Sequence, residues 1–182
     1  GSLVHPAMTL FSDMIGQHGL TVETVEHVTV STNQRIARTL IATLPQDSMQ
    51  ARFSIPFALA VLLIEGRAGI DAFTDAMVGR PDIVALMGRI DHVAYEAVED
   101  GFTNVTSFVE VRRADGTMHK GRADFALGSA QAPMSYDDVA DKTRGCAAAA
   151  NWPAGKTEAL IAAIARIEEI DDVRNVTALL AG

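Results

Sequence analysis

The apolar residues of this chain follow two spacings, a helical spacing of three or four residues and a strand spacing of two. The helical spacing predicts a first helix from Pro6 to about Gly19 and several more along the chain. The further helices are expected after the caps Ser31 and Thr32, from Ser54 to Ile64, Ile70 to Met77, Pro81 to Gly88 and Tyr136 to Ala150, around Leu160, and before Leu180.

The strand spacing predicts about four strands. They are Thr21 to Val30, a strand from Ile90 with Val93, Tyr95 and Ala97 on one face, Val105 to Val111, and Thr117 to Leu127. The turn residues 114–116 (Ala-Asp-Gly) indicate a hairpin between the last two. Strands and helices do not alternate regularly, so we predict one α+β domain over residues 1–182. Its antiparallel or mixed sheet carries helices on one face, followed by C-terminal helices.

The helix after Ser54 is the most apolar stretch of the chain. It is apolar almost all round from Phe57 to Ile64, which predicts burial on most sides. Ser54 can cap this helix, and Pro56 fits its first turn. The same hydroxyl, next to a helix N-terminus, could instead bind a carboxylate. Spacing alone favours the cap.

Composition limits the classes of partner. The chain has 182 residues, 48% of them hydrophobic and 21% charged, which is typical of a globular domain. A net charge of −8 argues against nucleic acid and anionic membranes, but not against a small anionic ligand. The single cysteine, Cys146, lies among alanines and is expected to be buried. One thiol forms no internal disulfide, which fits a cytoplasmic location.

Few side chains suggest chemistry by themselves. The five histidines lack metal-ligand spacing, so no metal site is expected, and nucleotide-binding and serine-hydrolase motifs are absent. His27 and His92 are expected on exposed strand positions, and His18 near a helix end. His5 differs, because it precedes Pro6 at the start of a helix, where an imidazole can face a cleft.

Six segments, in this order, resemble the C-terminal domain of the MmgE/PrpD family. Each is short, but together they extend over nearly the whole chain. The segments are His5-Pro6-Ala7, residues 53–58 (Phe-Ser-Ile-Pro-Phe-Ala), residues 66–75, residues 109–111 with 114–116, residues 133–139 with Lys142, and residues 170–173 with Leu179 and Leu180.

This resemblance implies a piece of a two-domain, homodimeric enzyme in which a helical domain precedes this chain and the substrate lies between the two. Members remove a proton next to a carboxylate and lose water or carbon dioxide, without a metal or organic cofactor. The implied function is a lyase similar to 2-methylcitrate dehydratase, acting on a small di- or tricarboxylate. His5 matches the family's histidine and is the catalytic candidate, and Ser54 matches a serine near the substrate. Arg52, outside the family pattern, is added as a substrate-binding candidate because it lies beside Ser54.

Two other functions stay open at this point. One is an isomerase or epimerase of the same family, and the other is a ligand-binding or assembly domain without chemistry. The chain alone is expected to be inactive, because the helical domain supplies other reacting groups. We also expect an exposed apolar patch, formed by the helix from Phe57 and by the first helix, where the helical domain would dock.

Overall fold

The computed structural model of the protein describes residues 2–96 and 99–180. Within this part a four-stranded mixed sheet has the order β2-β1-β3-β4, in which β1 pairs in parallel with β2, and β3 pairs antiparallel with both β1 and β4. The α+β class and the number of strands are therefore confirmed. The strands are β1 (Val25–Thr32), β2 (Ile90–Ala94), β3 (Ser107–Arg113) and β4 (Met118–Ala123).

Alternation along the strands produces one buried face. In β1, Val28 and Val30 are fully buried, and they lie opposite the fully buried Val111 and Val109 of β3. The intervening positions carry polar residues such as Thr29 and Glu110, so the other face is less covered. Side chains of a strand point alternately to the two faces, which is why a period of two in the sequence becomes one apolar layer.

Among the described residues of the part of the chain that carries the sheet, six segments are α-helices. The helix α1 contacts β3 and β4, α2 contacts β2, and α4 contacts α1, β2 and α6. Contacts cluster into one compact unit comprising Gly1–Ala68 and Ala72–Pro133. The helices are α1 (His5–His18), α2 (Gln34–Thr39), α3 (Ser48–Ala51), α4 (Ile55–Glu65), α5 (Asp75–Val78) and α6 (Pro81–Met87).

Helix α4 is the centre of the core. Eight consecutive residues, Ile55 to Leu62, are buried, as the all-round apolar pattern predicts. Gly66 ends the helix in the left-handed conformation, with φ of 74°, which glycine adopts without steric cost. This burial corrects one expectation, because α4 is covered by its own unit and forms no exposed patch.

Several element boundaries differ from the sequence prediction. Strand β1 starts at Val25 and continues to Thr32, so Ser31 and Thr32 belong to the strand. Asn33 caps α2 instead, since its side chain accepts a hydrogen bond from the Ile36 N–H at 2.8 Å. The helix predicted from Ile70 to Met77 is two short pieces, a 3₁₀ turn at Ile70–Ala72 and α5. Ala97, predicted on the face of β2, lies outside the described residues.

The second compact unit comprises Gly69–Asp71 and Met134–Gly182. Its α-helices are α7 (Tyr136–Ala149), α8 (Ala154–Ile164) and α9 (Arg174–Leu180). Ser135 and Asp138 form a capping box at the start of α7, which satisfies two helix N-terminal donors. Arg144 of α7 binds Glu158 of α8 through Nε at 2.7 Å and Nη2 at 2.8 Å.

The expectation of a buried Cys146 is wrong. The residue lies in α7, where Ala147 is buried and Cys146 is exposed. The run of alanines does not indicate which face of this helix is buried, because alanine occurs on buried and exposed faces alike. No α-helix in residues 2–96 and 99–180 has the length and apolarity needed to cross a bilayer.

Candidate functional site

His5 is the first residue of α1, and its side chain is exposed. Its neighbours Val4, Pro6 and Ala7 are buried, so the backbone on both sides is anchored in the core. Pro6 occupies the first turn, where its missing N–H removes no helical hydrogen bond. An exposed imidazole on a fixed backbone can exchange protons with a bound molecule or donate a hydrogen bond to a carboxylate.

Ser54 is the cap of α4 and is fully buried. Its Oγ accepts a hydrogen bond from the Phe57 N–H at 3.2 Å. The cap prediction is therefore confirmed. The hydroxyl satisfies a buried helix donor that would otherwise have no partner within the helix. A role for Ser54 in substrate binding stays a prediction.

Arg52 lies between α3 and α4 and is exposed. It makes no hydrogen bond or ion pair through its side chain to any residue in the ranges 2–96 and 99–180. Most other exposed arginines of the sheet unit differ in this respect. Arg112, for example, binds Glu26 at 2.9 Å. The Arg52 guanidinium is thus available for an anion, and its planar fork matches a carboxylate.

The residues that precede α4 expose apolar side chains. We call residues 41–53 the exposed apolar segment. It begins directly after the buried Leu40 and ends directly before the buried Ser54. Four of its large apolar residues are exposed by 42–74%: Ile41, Leu44, Met49 and Phe53. The exposed apolar residues therefore precede α4 in the sequence, and the patch expected on α4 itself is not found.

The structure brings the three predicted residues together only in part. Arg52 and Ser54 flank Phe53 at the start of α4, but they differ in exposure. His5 begins α1, and α1 packs against α4. The Ser54 hydroxyl bonds to the Phe57 N–H, and Arg52 has no hydrogen-bonding partner among the described residues. The common feature of His5 and Arg52 is an exposed side chain next to buried backbone.

His92 is not the exposed residue that the sequence predicts. Its Nε2 lies 2.7 Å from the buried Oγ1 of Thr32, and its Nδ1 lies 3.4 Å from the Leu40 carbonyl oxygen. Burial lowers the pKa of His92, while the hydrogen bond to Leu40 opposes this shift. The neighbouring Val93 is 43% exposed, so the predicted phase of β2 is shifted by one residue.

Thr32 is fully buried, which makes this pair a structural contact between β1 and β2. The sequence offered one sign of this arrangement, because Ile90, His92 and Ala94 also alternate along β2 and could form its buried face. This set is less apolar than the set with Val93 and Tyr95. Within the described ranges, no group of three or more His, Cys, Asp and Glu residues is placed to hold a metal ion.

Similarity to known proteins extends over most of the chain. The family model of the MmgE/PrpD C-terminal domain matches residues 1–173. Cis-aconitate decarboxylase of Homo sapiens is 25% identical over 145 residues, which cover 76% of this chain and 28% of that protein. The Mus musculus protein of the same name is 25% identical over 139 residues, with the same coverage of 76% and 28%.

The chain therefore spans about a quarter of the length of these curated relatives. The family match includes His5, Arg52 and Ser54, and it extends through both compact units of the structure. His5 is the first residue of α1 in the matched region, and its correspondence to the family's histidine stays a prediction. By the extent of this match, the chain belongs to the MmgE/PrpD family and corresponds to its C-terminal domain.

Proposed function

We propose that the chain is the C-terminal part of a cofactor-independent lyase that acts on a small di- or tricarboxylate. The observation that carries the proposal is the match of the family's C-terminal domain to 173 of the 182 residues. The exposed His5 and Arg52 add the two groups that such a reaction needs on this side of a cleft.

The reaction class makes two physical demands. A base must remove a proton from carbon next to a carboxylate, and positive or N–H groups must stabilise the negative charge that develops there. The His5 imidazole can transfer the proton or bind a substrate carboxylate, because its ordinary pKa lies near neutrality. The Arg52 guanidinium can hold a second carboxylate through two parallel hydrogen bonds.

The role of Ser54 in this proposal is to fix the start of α4 near the substrate. Its buried hydroxyl holds the Phe57 N–H, and the residue joins the helix to Arg52 through Phe53. This geometry supports a positioning role. For the Ser54 hydroxyl to bind substrate directly, its hydrogen bond with the Phe57 N–H would have to be replaced by a hydrogen bond to the substrate.

The exposed apolar segment supports a second part of the proposal. Four exposed large apolar residues within 13 positions favour a protein surface that is covered in the complete enzyme. We propose that the family's helical domain, in the same polypeptide, covers this segment and supplies the remaining reacting groups. The complete protein is proposed to be a homodimer, as the family resemblance implies, and to be cytoplasmic, as the single cysteine suggests.

The reaction could be dehydration or epimerisation, which begin with the loss of a proton next to a carboxylate. It could also be decarboxylation, in which the bond to the carboxylate breaks and a proton is delivered to the electron pair left behind. The two curated relatives are named cis-aconitate decarboxylases, which favours decarboxylation as the second candidate beside the dehydration of 2-methylcitrate. At 25% identity over about a quarter of their length, they do not distinguish the two. A domain that binds a carboxylate without turnover is the remaining alternative.

The test is a turnover assay of the longer protein that contains this chain with 2-methylcitrate, citrate, cis-aconitate and iminodisuccinate. Product analysis separates loss of water, loss of carbon dioxide and inversion at carbon. His5→Ala should lower kcat/KM at least about tenfold, which corresponds to about 1.4 kcal/mol in the barrier.

The matched control is His27→Ala. His27 lies in β1, and its imidazole Nε2 is 3.2 Å from the Asp91 carboxylate in β2. The kcat/KM of this variant should stay within about twofold of the parent value. Binding of a carboxylate without product from any of the four substrates would favour the non-catalytic alternative. Equal rates for the His5 and His27 variants would remove His5 from the site.

A further inference from the structure

A pair of histidines lies at the opposite end of α1 from His5. His18 is the last residue of α1, and His119 lies in β4. Their rings are stacked, with centroids 3.8 Å apart and an angle of 15° between the ring planes. Both side chains are partly buried. The proposed function does not use this pair.

An arginine adds a fixed positive charge to the stack. Arg113, at the end of β3, donates from Nη1 to the His18 carbonyl oxygen at 2.9 Å. This carbonyl belongs to the last turn of α1, where carbonyl groups lack partners within the helix and attract a cation. Arg113 therefore already provides the positive charge that favours this helix end.

The stack has few groups that could balance further positive charge. The Arg113 Nε and the His119 Nε2 are buried and have no hydrogen-bonding partner among the described residues. Asp115, in the hairpin turn, lies 3.8 Å from the Arg113 Nε and is the nearby acidic group. Lys120 is next to His119 in β4 but points to the other face, where it binds Glu110 at 2.8 Å.

We infer that His18 and His119 form a pH-dependent latch that holds the last turn of α1 on the β3–β4 hairpin when His119 is neutral and loosens when His119 is protonated. A neutral imidazole of His119 stacks favourably on the His18 ring, whereas a charged one would add a second positive charge beside Arg113 in a partly buried cluster. One carboxylate, Asp115, cannot neutralise both cations.

The direction of the pH dependence follows from His119. Burial, and then the positive charges of His18 and Arg113, lower the pKa of His119, while Asp115 acts in the opposite direction. The unfolded chain, with an ordinary histidine pKa near 6.5, then binds the proton more readily than the folded chain does. The contribution of neutral His119 to the stability of the folded chain is therefore fully present above about pH 6.5, and it is lost as the pH falls below that value.

The first measurement is a proton NMR titration of the histidine rings in the 182-residue chain between pH 8 and pH 5. We expect the midpoint of His119 below 6.5, and we expect it to rise when His18→Gln removes the neighbouring ring. His27→Gln, a histidine on another strand, should leave the His119 midpoint unchanged. A His119 midpoint at or above 6.5 in the unmodified chain would overturn the inference without requiring any variant to fold.

The second measurement is hydrogen exchange of the amides in the last turn of α1 and in β4. After correction for the intrinsic exchange rate, protection should fall at least threefold between pH 8 and pH 5.5, while α4 keeps its protection. His119→Gln should remove this local loss. An equal loss in the His119→Gln and unmodified chains would assign the effect to other groups and contradict the latch.

Discussion

Two phenylalanines four positions apart show how differently neighbouring parts of this chain are used. Phe57, in α4, is fully buried and lies 5.6 Å from the ring of Phe73. Phe53, in the exposed apolar segment, is 42% exposed. Hydrophobicity is equal at the two positions, so the difference is in what covers them. We conclude that α4 stabilises the unit, and we propose that the exposed apolar segment before it is a surface for recognition.

The largest expected effect separates these two roles directly. Phe57→Ala should lower the free energy of unfolding by about 3–5 kcal/mol, because it removes buried contacts and leaves a cavity. Phe53→Ala should lower it by less than about 1 kcal/mol, since that side chain is already partly solvated. Chemical denaturation of the two variants tests the comparison. Equal losses would mean that both rings belong to the core.

The junction between the two regions is the next place to test. Ser54→Ala should cost about 2 kcal/mol of unfolding free energy, because it removes the cap and leaves the Phe57 N–H buried without a partner. The matched variant is Ser135→Ala at α7, whose cap is exposed. It should cost only about 1 kcal/mol. Thermal or denaturant unfolding measures both, and a smaller loss at Ser54 than at Ser135 would contradict this account.

Arg52 tests recognition separately from stability. Arg52→Ala should lower kcat/KM of the longer protein about tenfold, or about 1.4 kcal/mol, if the guanidinium binds a substrate carboxylate. Unfolding free energy should change by less than about 0.5 kcal/mol. Arg112→Ala is the control for the change in charge, because Arg112 pairs with Glu26 at 2.9 Å on the sheet. Equal kinetics in the two variants would exclude Arg52 from substrate binding.

The smallest effect concerns the apolar surface itself. Met49→Ser should reduce the fluorescence of a bound apolar dye on the 182-residue chain, with a change of less than about 0.5 kcal/mol in unfolding free energy. Met118→Ser is the control, because Met118 is 46% exposed but lies in β4. A larger decrease for Met118 would place the dye-binding surface outside the exposed apolar segment.

Local patterns predicted much of the fold because their causes are local. Ser54, Pro56 and the apolar run after them specify a capped, buried helix without reference to the rest of the chain. The turn at residues 114–116 likewise specifies the β3–β4 hairpin. There, Asp115 Oδ1 accepts from the Thr117 N–H at 2.8 Å, and Gly116 has φ of 85°.

Tertiary contacts decided what the patterns left open. The phase of β2 depends on Thr32 and Leu40, which are 60 and 52 positions from His92, and two alternations fit the same residues. The stack of His18 and His119 joins residues about a hundred positions apart, and neither residue has a neighbouring motif. The roles of His5 and Arg52 depend on a resemblance and on exposure, because a single imidazole or guanidinium does not define a reaction.

The most direct test of the central claim is hydrogen exchange of residues 41–53 and of α4, compared between the 182-residue chain and the longer protein. We predict that residues 41–53 become protected in the longer protein and that α4 is equally protected in both, because only the exposed apolar segment acquires a partner. Equal exchange of residues 41–53 in the two proteins would contradict the assignment of this segment as a recognition surface.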